Sequence, residues 1–111
     1  MDYRAERMGN LILEELSKII ARELEFDNAL VTITEVEVDK KLDTAKVRVS
    51  VIPSEKAKDV FVILNLARNS LQTILFRKLN LKPVPRIQFE IDRGLENAAE
   101  VEKLLFKEKG S

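Results

Sequence analysis

A run of apolar residues at helical spacing, stopped by two prolines, constrains the fold of this chain more than any other feature. Val60, Leu64, Ala67, Leu71, Ile74, Leu75 and Leu79 recur at three- and four-residue steps, so one stripe of a helix faces a core. Pro83 and Pro85 disfavour helix at the residues before them, and Leu81 to Pro85 therefore reads as an extended connector. At the other end Pro53 closes a strand and Ser54 is expected to be the N-cap. Glu55 and Asp59 then lie near the positive end of the helix dipole.

The same stretch separates charge. The chain carries 19 Lys+Arg against 19 Asp+Glu. Yet no acidic residue falls between Asp59 and Glu90, where Arg68, Arg77, Lys78, Lys82 and Arg86 all lie. These five cations are candidate contacts for RNA phosphates, and zero net charge argues against indiscriminate binding. Phe76 and Phe89, the aromatics that lie in sequence nearest these cations, are expected near the core, so base stacking is not expected. Charge segregation alone fits a second class equally well, a protein-docking module without direct RNA contact.

The flanking sequence supplies what the helix packs on. Met8, Ile12, Leu16, Ile19, Ile20 and Leu24 mark an amphipathic helix from about Tyr3 to Glu25, whose Glu-rich polar side would be repelled by anionic lipid. Gly9 weakens that helix by about 1 kcal/mol against Ala, so its first residues are expected to fray or to serve as a mobile arm. Phe26 to Ala29 break the period, and Val31, Ile33, Val36 and Val38 read as a strand whose alternation slips near Thr34-Glu35, the mark of a β-bulge. After a polar turn at Asp39 to Asp43, Ala45, Val47, Val49 and Val51 form a second strand, hairpin-paired to the first. Lys46 and Arg48 project from its other face, either as further phosphate contacts or as the charges an exposed strand face needs. Ile87, Phe89 and Ile91 make a third strand, and Leu95 to Phe106 a short closing helix. The order predicts an α+β domain, a three-stranded sheet covered by helices on one face, over residues 1–106, with 107–111 as a disordered tail.

Several chemistries lack their residues. The chain has no cysteine and no histidine, which removes zinc sites built from them and the side chain best suited to proton transfer near neutral pH. With three glycines there is no Gly-rich phosphate loop, and no nucleophile is flanked by a base. No catalytic residue, metal or cofactor is expected. The charged N-terminus precedes amphipathic sequence, so neither signal peptide nor membrane span is read, and a cytoplasmic monomer is expected.

Two halves of the chain together resemble a known family. Leu64-Asn65-x-Ala67-x-Asn69, Leu71-x-x-x-Leu75 and Leu79-x-Leu81-x-x-x-Pro85-x-Ile87-x-Phe89-x-x-Asp92 look like the second half of ribosome-binding factor A. Val31-Thr32-Ile33-Thr34-x-Val36-x-Val38 and Ala45-Lys46-Val47-x-Val49-Ser50 resemble that family's hairpin. The resemblance implies a KH-like fold of the bacterial type (type II), ordered α-β-β-α-kink-α-β. It also implies a non-enzymatic factor that binds the free small ribosomal subunit, its rRNA and neighbouring ribosomal proteins, and assists rRNA maturation, notably in the cold. The family bends its core helix at Ala-x-Gly, where this chain reads Ala67-Arg68-Asn69. Either Asn69 takes positive φ, and Ser70 opens a second half-helix whose free N–H groups face a phosphate, or the helix continues. Asn69 and Ser70 join the candidate RNA contacts on the first alternative.

Overall fold

The computed structural model describes residues 3–80 and 84–92. Lys82, the closing helix expected at 95–106 and the tail lie outside them. Helix α1 (Tyr3–Glu23) turns Ile12, Leu16, Ile19 and Ile20 to the core, each 5% exposed or less. Gly9 is buried in its second turn. A Cβ built there would stand 2.8 Å from the Val36 carbonyl oxygen, so the missing side chain is what lets α1 approach the first strand.

That strand, β1 (Leu30–Val38), pairs antiparallel with β2 (Thr44–Ile52), and β2 pairs parallel with β3 (Arg86–Ile91), in the order β1-β2-β3. The central strand buries Ala45, Val47, Val49 and Val51. The expected bulge is present: Ile33 pairs with Val49 and Glu35 with Arg48, leaving Thr34 as the extra residue. Before it Val31 and Ile33 face the helices, and after it Val36 and Val38 do. The hairpin turn is tied by Asp39, whose Oδ1 accepts the N–H groups of Asp43 (2.7 Å) and Thr44 (3.2 Å).

A parallel pair needs a crossover, and α2 (Ala57–Leu79) provides it. Ser54 does not cap this helix. It begins a short 3-10 turn (Ser54–Lys56), and neither that turn nor α2 has a side-chain cap hydrogen bond. At the far end Asn80, at φ 50°, closes α2 in the left-handed conformation. Asn69 is not among the positive-φ residues, which among the described residues are Asn28, Leu42 and Asn80, and α2 is helical through it without interruption. Of the two alternatives at Ala67-Arg68-Asn69, the helix therefore continues. The N–H groups of Asn69 and Ser70 belong to its ladder, and Ser70 opens no anion-binding terminus. Val60, Leu64, Leu71 and Leu75 of α2 lie on the same core as α1, and no described helix is long and apolar enough to cross a membrane.

Candidate nucleic-acid interface

One flank of α2 and the approach to β3 enclose an open cleft of about 550 Å³. Arg68, Asn69, Gln72, Thr73 and Phe76 fall at the one-, three- and four-residue steps that share a helix flank, and they form one wall. Val84 and Arg86 form the other. Gln72 joins the two. Its Nε2 donates to the Pro85 carbonyl at 2.9 Å and its Oε1 accepts the Ile87 N–H at 2.8 Å. The alternate residues of β3 serve β2, with Arg86 N–H donating to Asp43 and Asp92 N–H to Val49. A single side-chain amide thus takes the place of a neighbouring strand at the outer edge of β3, and holds the start of that strand against α2.

The predicted basic face divides into three. Arg68, Asn69 and Arg86 share the cleft, and among the described residues neither arginine has a carboxylate within ion-pair distance. Arg77 and Ser70 do not join them. At about 100° per residue, Arg77 stands about 180° from Arg68 and Ser70 about 160°. Lys78 turns toward α1, where its Nζ lies 3.7 Å from Glu15. Lys46 and Arg48 occupy the sheet face away from the helices. Arg48 contacts Glu35, Glu37 (3.1 Å) and Glu90 (3.7 Å). The hydrogen bond and charge of Glu35 raise the Arg48 guanidinium above its ordinary value, with burial opposing them and the charges of Glu90 and Glu37 adding to them. An arginine shared among three carboxylates is a poor phosphate contact, and the strand-face alternative accounts for it. Lys46 has Glu37 as its cross-strand neighbour.

Sequence reading missed the uncharged lining of the cleft. Phe89 is buried as expected, but Phe76 is 41% exposed. The signal was available: Phe76 follows the core residue Leu75 directly and so turns about 100° away from it, and it lies eight residues, about 80°, from Arg68. Gln72 is one turn beyond Arg68, but its pairing with β3 depends on tertiary contact that spacing does not specify. The cleft is thus lined by two cations, two side-chain amides, a hydroxyl and an aromatic ring, a lining whose charge suits an anionic partner.

The sequence profile described as ribosome-binding factor A matches residues 4–105. Ribosome-binding factor A of Caldanaerobacter subterraneus subsp. tengcongensis is 34% identical over 108 residues, covering 95% of this chain and 88% of that one. The crystal structure of ribosome-binding factor A from Thermus thermophilus has the same fold, with a TM-score of 0.67 at 22% identity, covering 81% of this chain and 98% of that one. A Thermus thermophilus ribosome-binding factor A homology model, fitted into the cryo-EM map of its complex with 30S, gives a TM-score of 0.65 at 23% identity over 81% of this chain and 96% of that one. The profile spans nearly the whole chain and the relative matches it over nearly all its length: this chain belongs to the ribosome-binding factor A family.

Proposed function

We propose that this chain is a non-enzymatic ribosome assembly factor, a cytoplasmic monomer with a KH-like domain. It binds the free small ribosomal subunit, through its rRNA and neighbouring ribosomal proteins, and assists maturation of the small-subunit rRNA, notably in the cold. The observation that carries the reading is the α2–β3 cleft, which Arg68 and Arg86 both line with no carboxylate at ion-pair distance among the described residues. The map of a Thermus thermophilus relative with 30S supports the choice of subunit. Backbone phosphates contact Arg68 and Arg86, while the carboxylates around Arg48 keep the open sheet face away from RNA.

Co-sedimentation with separated ribosomal subunits tests this. The expected result is binding to the small subunit alone at near-physiological salt, lost in Arg68→Glu/Arg86→Glu. Equal binding to both subunits, or full binding by the double variant, overturns it. Nuclease treatment separates the docking alternative, in which association survives digestion of the RNA.

A further inference from the structure

We propose that the outer edge of β1 docks an extended, basic segment of another protein, which adds to the sheet as a short fourth strand. The inference goes beyond the RNA-binding reading and uses none of the residues of the α2–β3 cleft. A groove of about 290 Å³ lies between the second half of α1 and the start of β1. Ser17, Ile20, Ala21 and Leu24, at three- and four-residue steps along α1 and just beyond it, form one wall. Residues 30–33 of β1 form the other. Successive strand residues point to opposite faces, so a groove lined by four in a row meets β1 along its edge. The inner edge is taken by β2, so this is the outer edge, which no described strand covers. Alternate residues there turn N–H and C=O groups outward, the groups with which an added strand pairs.

The lining and its surroundings select the occupant. Apart from Ser17 and Thr32 the lining side chains are apolar, and Leu30 among them keeps 62% of its surface exposed. The Ser17 hydroxyl already donates to the Leu13 carbonyl at 2.6 Å, so the groove suits apolar side chains. The charge around it is acidic. From Glu14 to Glu37 every charged residue except Lys18 and Arg22 is Asp or Glu. Both cations are already paired, Lys18 Nζ at 3.6 Å from Glu14 and Arg22 Nε at 3.0 Å from Glu23. Glu25 and Asp27, exposed between α1 and β1, have no cation within ion-pair distance among the described residues. A strand that alternates cationic with apolar side chains complements this surface, whereas an RNA backbone or an acidic peptide is repelled. The bulge at Thr34 breaks the regular edge after Ile33, so about four residues of the partner pair.

Isotope-labelled protein titrated with capped synthetic hexapeptides, followed by NMR amide shifts, supplies the test. The first peptide alternates lysine with valine, the second replaces lysine by glutamate, and two more are the first peptide N-methylated at its lysines or at its valines. The lysine–valine peptide should shift the amides of residues 30–33 and of Ala21, and the glutamate peptide should not. Because alternate residues of a strand pair on opposite sides, one N-methylated peptide should bind as the first does and the other should not. Ala21→Arg, which plugs the groove from an exposed position, should abolish binding. Glu25→Lys/Asp27→Lys should weaken it by about 2- to 30-fold, the range for two exposed ion pairs. Far-UV circular dichroism should show both variants folded. The proposal is overturned by the absence of shifts at millimolar peptide, by equal binding of the glutamate peptide, by the same response to both N-methylated peptides, or by full binding to Ala21→Arg. Concentration-dependent shifts at the same residues without peptide would put a second copy of the chain on the edge and overturn it as well. If the protein still binds small subunits in any of these cases, the RNA-binding reading stands.

Discussion

At position 9 two effects of one methyl group oppose each other. Alanine is favoured over glycine by about 1 kcal/mol in an exposed helix, while crowding a packed contact costs about 1–3 kcal/mol. With the Val36 carbonyl oxygen 2.8 Å from the added Cβ, crowding wins, because a backbone carbonyl cannot rotate aside as a side chain can. Gly9→Ala should therefore lower the urea midpoint, by up to about 2 kcal/mol of stability; a raised midpoint would show that α1 does not approach β1 so closely. Gln72 offers a second test. Gln72→Ala leaves the Pro85 carbonyl and Ile87 N–H without their side-chain partner and should cost about 1–3 kcal/mol. Gln72→Glu keeps the acceptor for Ile87 but sets a carboxylate oxygen against the Pro85 carbonyl, so it should not restore stability. Equal stability of Gln72→Glu and the parent would contradict the paired amide. Neither role was legible in the sequence. Gly9 reads as a weak helix residue and Gln72 as a polar one until the partner strand is in place.

At the scale of elements, the long helix is the decisive case. Its apolar stripe, its end near Asn80 and its place between the second and third strands follow from periodicity and the prolines beyond it, whereas the parallel pairing of those strands does not. Its start does not, because Ser54 after Pro53 looks like a cap and instead enters a 3-10 turn. The bulge at Thr34 was legible because a slip in a two-residue period has few other physical causes. The charge arrangement was legible only as order along the chain. Rotation about the helix carries Arg77 away from Arg68, and the carboxylates that hold Lys78 and Arg48 come from α1, β1 and β3. Continuity through Asn69 carries its own prediction. In an uninterrupted helix Asn69→Ala should raise stability by about 0.5 kcal/mol, and Asn69→Gly should lower it by a few tenths. If thermal unfolding gave the reverse order, with Gly stabilising, Asn69 would have to occupy a left-handed bend.

The whole molecule is neutral but not uniform. Basic side chains with no carboxylate at ion-pair distance among the described residues line the α2–β3 cleft, while the open sheet face sets Glu35, Glu37 and Glu90 around Arg48. Such a molecule has a direction: an RNA surface attracts the cleft and is repelled by the sheet face. Arg48→Ala should accordingly leave small-subunit affinity unchanged in co-sedimentation, although it removes a cation; a loss equal to that of the cleft variant would place the open sheet face at the RNA. The most direct measurement of the central claim is the salt dependence of small-subunit affinity for the parent and for Arg68→Gln/Arg86→Gln. If both arginines neutralise single-stranded phosphates, the parent's log affinity falls more steeply with log salt, the two slopes differing by about 1.4. Parallel slopes would mean that the cleft does not hold the RNA backbone.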